Sequence, residues 1–91
     1  MAINVKIPTP LRGLTGDADT VAADAATLGE LVGALERGYP GMRERLCDET
    51  GSLRRFVNVY INGEDVRFLA GLDSALKSGD EVSIVPAVAG G

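Results

Sequence analysis

One stretch of this 91-residue chain carries apolar residues at helical spacing over a full helix length, and everything else has to fold against it. Leu28, Leu31, Val32 and Leu35 fall at i, i+3, i+4 and i+7, which makes a single apolar stripe. Thr27 stands ahead of them as an N-cap, and Glu30 follows three residues later at the capping-box spacing. Gly38 suits the C′ position, and Pro40 just beyond it prevents continuation. Gly29 and Gly33 sit inside the helix on one face, and each costs about 1 kcal/mol relative to Ala. Close packing of that face on a sheet would offset the cost. A helix with one stripe covers one apolar surface, so its partner is a sheet with one inner face.

The strands are legible by period two. Ile3, Val5 and Ile7 alternate with polar neighbours until Pro8 and Pro10 end the run. A polar, glycine-containing turn over 13–17 leads to a weak second strand over 18–23. Residues 41–53 read as a short helical turn around Met42 and Leu46, then a polar loop from Asp48 to Ser52. Residues 56–61 are the strongest strand: Val57, Val59 and Ile61 point one way, and Phe56, Asn58 and Tyr60 the other. Asn62-Gly63 then signals a tight hairpin, since both residues accept positive φ. Residues 64–68 return as a short strand, 72–76 as a helical turn, and 78–80 turn the chain into a last strand over 81–85. The expected inner face is Ile3, Val5, Ile7, Val57, Val59, Ile61, Val82 and Ile84. The order implies an α+β fold, a β-grasp (ubiquitin-like) roll. It has a mixed sheet of four or five strands, one main helix across one face and the last strand central. Residues 1–86 form the expected domain and 87–91 a flexible tail.

Composition narrows the function. The formal charge is −4, which argues against nucleic acid or an anionic membrane as partner. Arg43, Arg45, Arg54 and Arg55 are local positive spots whose default place is solvated surface. With no histidine, imidazole acid–base chemistry and His-ligated metals are excluded, and no metal site is expected. Cys47 is the one cysteine, so no internal disulfide forms, which fits a reducing cytoplasm. It reads as a half-buried small apolar residue with no neighbour to activate it. The N-terminal residues lack a signal-peptide pattern, and no apolar run is long enough to span a bilayer.

The remaining feature is the ending, Ala87-Val88-Ala89-Gly90-Gly91. Glycine at a chain end is often mere fraying. Here it follows a strand expected at the centre of the sheet. The five residues make a thread almost without side chains that reaches roughly 17 Å. It would enter a channel too narrow for a Cβ, with its carboxylate leading. If the chain does chemistry, the Gly91 carboxylate is the group expected to react, with Gly90 for slim approach and Ala89, Val88 and Ala87 for reach. No intrinsic catalytic residue is expected.

Val5-Lys6-Ile7-Pro8-Thr9-Pro10-Leu11-Arg12, Thr27-Leu28-Gly29, residues 55–62, Glu64-Asp65-Val66-Arg67-Phe68 and the ending 85–91 together resemble the ubiquitin-like sulfur carriers of the MoaD/ThiS/CysO family, most of all the CysO type. That resemblance implies a protein cosubstrate rather than an enzyme. An E1-like adenylating enzyme would activate Gly91 with ATP and magnesium, and a sulfur donor would convert it to a thiocarboxylate. A pyridoxal-phosphate (PLP)-dependent cysteine synthase would accept the sulfur, and a JAMM-type zinc peptidase would release cysteine. PLP and zinc belong to those partners, and the carrier itself binds no cofactor. Supply of molybdopterin, thiosugar or other secondary-metabolite pathways stays open, as does an inert ubiquitin-like interaction module. For docking, Phe56, Tyr60 and Val85 share the face away from the helix with Asn58 and Ser83, unless a loop covers them. Arg12 and Arg67 either meet acidic surface on the activating enzyme or serve in structural pairs.

Overall fold

The alternating runs become five strands of one mixed sheet in the order β2-β1-β5-β3-β4. The computed structural model describes Ala2 to Pro86. In chain order the elements are β1 (Ile3–Lys6), a 3-10 helix (Thr9–Thr15), β2 (Thr20–Ala23), α1 (Leu28–Gly38), α2 (Met42–Leu46), β3 (Val57–Ile61), β4 (Glu64–Asp65), 3-10 turns at Val66–Phe68 and Gly71–Asp73, and β5 (Glu81–Pro86). β5 lies parallel to β1, with Val5 opposite Val82, and antiparallel to β3, with Val57 opposite Pro86. The last strand is therefore central, as the sequence implies.

All the expected inner residues are buried, from Ile3 to Ile84, and so are the stripe residues Leu28, Leu31, Val32 and Leu35. One helix is not a sufficient cover. Five strands span about 19 Å at their usual spacing, whereas a helix with its side chains is about 10–12 Å across. Leu11 from the first 3-10 helix, Met42 and Leu46 from α2, and Val66 and Leu76 complete the core. Cys47 belongs to it too, more deeply than half-buried at 5% exposure, and burial pushes its thiol pKa up.

Several local expectations are corrected. Thr27 Oγ1 accepts from the Glu30 N–H at 3.2 Å, but Glu30 reaches back to the Ala26 N–H, at 3.3 Å, one residue before the reciprocal capping-box partner. Gly38 is the last helical residue rather than C′, and the left-handed turn falls at Gly41 (φ 101°). Gly29 and Gly33 do not face the sheet. A Cβ on Gly29 would stand 3.3 Å from the Leu72 carbonyl oxygen, and one on Gly33 3.4 Å from the Arg43 guanidinium. The 13–17 turn is the tail of a 3-10 helix that buries Leu11. The second strand begins only at Thr20, after two left-handed residues, Gly16 and Asp17. The strand over 64–68 stops at Asp65, whose carboxylate accepts from the Arg67 N–H at 2.9 Å and turns the backbone. The helical turn over 72–76 is shorter and earlier, and Ser74 to Leu76 run extended beside Ala26 to Leu28.

Three half-buried carboxylates fasten the loops. Asn62 (φ 51°) and Gly63 (φ 88°) make the expected left-handed hairpin turn. The Asn62 amide donates to Asp80 at 3.0 Å and accepts from the Glu81 N–H at 3.0 Å, tying that hairpin to the start of β5. Glu36 accepts from the N–H groups of Gly41 and Arg43, at 3.2 and 2.9 Å, joining α1 to α2. Asp48 accepts from Thr50 and Ser52. Hydrogen bonds to the ionised form lower all three pKa values: Glu36 chiefly through the Arg43 N–H, Asp48 through the Thr50 hydroxyl and Asp80 through the Asn62 amide.

Two outcomes follow from these contacts. Leu31→Ala, at the centre of the stripe, is expected to cost about 2–5 kcal/mol in urea unfolding. Phe68→Ser, at an 86% exposed position, should stay within about 0.5 kcal/mol. Because the folded pKa values of Glu36, Asp48 and Asp80 lie below their unfolded ones, their stabilisation is full above about pH 4.5 and is lost as pH falls through the folded values. Urea midpoints should therefore fall from about pH 4.5 downward, and Asp80→Asn should flatten part of that slope.

Candidate functional site: the tail root and the outward sheet face

The tail residues Ala87, Val88, Ala89, Gly90 and Gly91 lie outside the described residues. What the structure describes is where they are rooted. Pro86 is the last residue of β5 and stands opposite Val57. Lacking an N–H, it is a natural end for the ladder. β1 runs parallel to β5 and ends at the same edge of the sheet, while β3 begins there.

The outward face around this root is open. Phe56 is 57% exposed and Val85 44%, so no described loop covers them. Asn58 is cross-strand to Val85, and Tyr60 to Ser83, and these three partners of the patch are half-buried. The alternation that sends Val57, Val59 and Ile61 into the core puts them there. Phe68 and Leu69, 86% and 46% exposed, are further apolar residues missed by the sequence reading. A strand through residue 68 hid them, although Asp65, a turn-former, was the available signal.

The two singled-out arginines are both engaged with backbone. Arg12 Nε donates to the Ile7 carbonyl at 3.1 Å, at the end of β1. Arg67 reaches across the start of β3. Its Nη2 donates to the carbonyls of Val57 at 2.8 Å and of Arg54 and Arg55 at 3.2 Å, and its Nη1 to Asn58 Oδ1. One planar guanidinium thus gathers the segment that flanks the tail root. A lysine has no such fork. Arg43, Arg45, Arg54 and Arg55 are exposed.

The body offers little intrinsic chemistry. The Cys47 thiol is buried and its pKa is raised by desolvation, with Arg43 opposing only in part. Among the described residues no cluster of His, Cys, Asp and Glu could hold a metal ion, and no helix is long and apolar enough to cross a membrane.

This geometry has close counterparts. The family model for the ThiS family matches residues 5–91. The sulfur carrier protein CysO of Mycobacterium tuberculosis is 52% identical over 93 residues, which cover 100% of both chains. A chain of the crystal structure of the Amycolatopsis orientalis BexX/CysO complex superposes with a TM-score of 0.93 at 48% identity, covering 99% of this chain and 100% of that one. The crystal structure of Mycobacterium tuberculosis CysO superposes at 0.91 with 50% identity, covering 94% and 99%.

Arg67→Lys tests the clamp beside the tail root. Losing the fork should cost about 1–2 kcal/mol in urea unfolding. It should also speed amide hydrogen exchange across 57–58 relative to β1.

Proposed function

The chain belongs to the ThiS family of ubiquitin-like sulfur carriers, and we propose that it carries sulfur as a thiocarboxylate on Gly91 and supplies it for cysteine synthesis. Like its relatives it is a carrier and not itself an enzyme. A carboxylate is a poor electrophile because oxide is a bad leaving group. An E1-like partner removes that obstacle. The Gly91 carboxylate attacks the α-phosphorus of ATP, which the partner holds with magnesium, and pyrophosphate departs. Sulfide then adds to the acyl carbon of the adenylate and AMP departs, leaving C(=O)S⁻ on Gly91. The thiocarboxylate sulfur is soft, anionic and nucleophilic, and a PLP-dependent cysteine synthase accepts it. A JAMM-type zinc peptidase then cleaves cysteine from the carrier and regenerates Gly91.

The chain's own part is presentation. The observation that carries the reading is that the family match runs through Gly91 while β5 delivers the chain to that tail from the centre of the sheet. Ala87, Val88, Ala89 and Gly90 give the partner's channel a slim thread. Phe56, Tyr60 and Val85, with Arg12 and Arg67 beside them, form the docking face. The Amycolatopsis complex supports recognition by a protein partner.

Intact mass spectrometry tests this. After incubation with an activating enzyme, ATP and sulfide, the protein should gain the mass of one oxygen replaced by sulfur. Deleting Gly91 should abolish the gain and leave the urea midpoint unchanged. An unmodified wild-type chain, with an enzyme competent on another carrier, overturns the proposal.

A further inference from the structure

We propose that the sheet end from which the tail departs is a cationic rim that seats against carboxylates around the mouth of the channel that takes the tail. The inference deepens the carrier reading and rests on it.

Topology assembles the rim. Because β1 and β5 are parallel and β3 is antiparallel to both, the end of β1, the start of β3 and Pro86 share one edge. Arg12 is fastened at the end of β1 through Ile7. Arg54 and Arg55 lead into β3, and Arg67 lies across them. Sequence reasoning singled out Arg12 and Arg67 and left Arg54 and Arg55 as ordinary solvated charge. Arg54 spends its Nε on the Glu44 carbonyl at 2.7 Å, which leaves its terminal nitrogens. Arg55 makes no side-chain hydrogen bond among the described residues and is the freest of the four.

None of these four guanidinium groups is in an ion pair among the described residues. This holds in a chain with 13 acidic residues against 9 basic ones. Carboxylates do stand near Arg54, since Glu44, Asp48 and Glu49 line a groove with it, but none is within ion-pair distance of it among the described residues. Asp48 lines the groove shared by Arg54, Arg55, Phe56 and Val57, and its Oδ1 accepts from Thr50 and Ser52. Asp19 lies on the far side of β1 from β5, in the turn leading into β2. At the opposite end of the sheet stand Glu64, Asp80 and Glu81. The four guanidiniums thus form a positive pole at the tail end of the strands, with Glu44, Asp48 and Glu49 beside Arg54.

Such a pole has a direct consequence for a partner. The tail reaches only roughly 17 Å, so a protein that takes Gly91 into a channel brings its rim against the tail root. Guanidiniums losing water there with no carboxylate to pair their charge would oppose docking. Carboxylates meet the guanidinium fork in bidentate geometry and turn that opposition into recognition. Phe56 and Val85 supply the apolar centre, and the arginines supply the charged periphery that steers encounter.

The test is charging of full-length variants by an adenylating enzyme that charges the wild type. Arg55→Glu should raise KM about tenfold at low ionic strength with kcat unchanged, the signature of a rim charge. Lys77→Glu makes the same change in net charge near Asp80, at the opposite end, and should move KM less than about twofold by the same reasoning. The gap between Arg55→Glu and wild type should close as salt approaches about 1 M, where the Debye length is about 3 Å. Equal effects from the two variants, or none from Arg55→Glu, overturn the rim while leaving the carrier reading intact. A wild-type chain that is never charged overturns both.

Discussion

The structure depends on the placement of β5 between β1 and β3. A central strand is hydrogen-bonded along both edges, so it is the element least able to shift without breaking two ladders at once. Here it also buries Val82 and Ile84 under the helices. Its start is fixed by the Asn62–Asp80 bridge and its end by the pairing of Pro86 with Val57. The last residue before the tail is therefore positioned by the whole core. Burial under α1 and α2 becomes, through β5, the mechanical fixity of the tail root.

That dependence explains why such small helices matter. α1 covers part of the sheet, and the short α2, with the first 3-10 helix, covers the rest. Glu36 binds α2 to α1 by accepting two backbone N–H groups that would otherwise be orphans at a helix start. Glu36, Asp48 and Asp80 each close a loop through backbone, hydroxyl or amide donors, and none needs a fully buried charge. The half-buried carboxylates stabilise connections while the core stays apolar, and no buried side-chain nitrogen or oxygen among the described residues lacks a partner.

Much of the fold was legible because its strongest signals are periodic. Val57, Val59 and Ile61 alternate, the Leu28 stripe repeats at helical spacing, and Asn62-Gly63 accepts a geometry few pairs adopt. What was not legible depends on contacts between segments distant in sequence. The glycines of α1 looked like a sheet-packing face, yet their neighbours are Leu72 and Arg43, which periodicity within the helix cannot reveal. Residues 64–68 have strand-like composition, but one Asx turn at Asp65 redirects the chain and throws Phe68 outward. At the candidate site, alternation located Phe56, Tyr60 and Val85 correctly on the outward face. It could not show that Arg67 spans four acceptors, since three of them are backbone carbonyls and carry no sequence signature.

On the proposed mechanism, a carrier of an activated acyl group also has to survive its own cargo. An acyl-adenylate is open to attack by any nearby amine or thiolate, so the body that presents it benefits from being poor in both. The chain has two lysines, Lys6 and Lys77. Lys6 is held by Glu81 at 3.4 Å, and Lys77 lies by Asp80, away from the tail root. Cys47 is in the core with its thiol pKa raised, so the thiolate that would react is both scarce and covered. The four cations placed around the tail root are arginines, which stay protonated and do not act as nucleophiles. The cations beside the root can bind a partner's carboxylates without competing with sulfide for the activated carbon. Arginine rather than lysine at Arg12, Arg54, Arg55 and Arg67 thus suits the proposed reaction on chemical as well as electrostatic grounds.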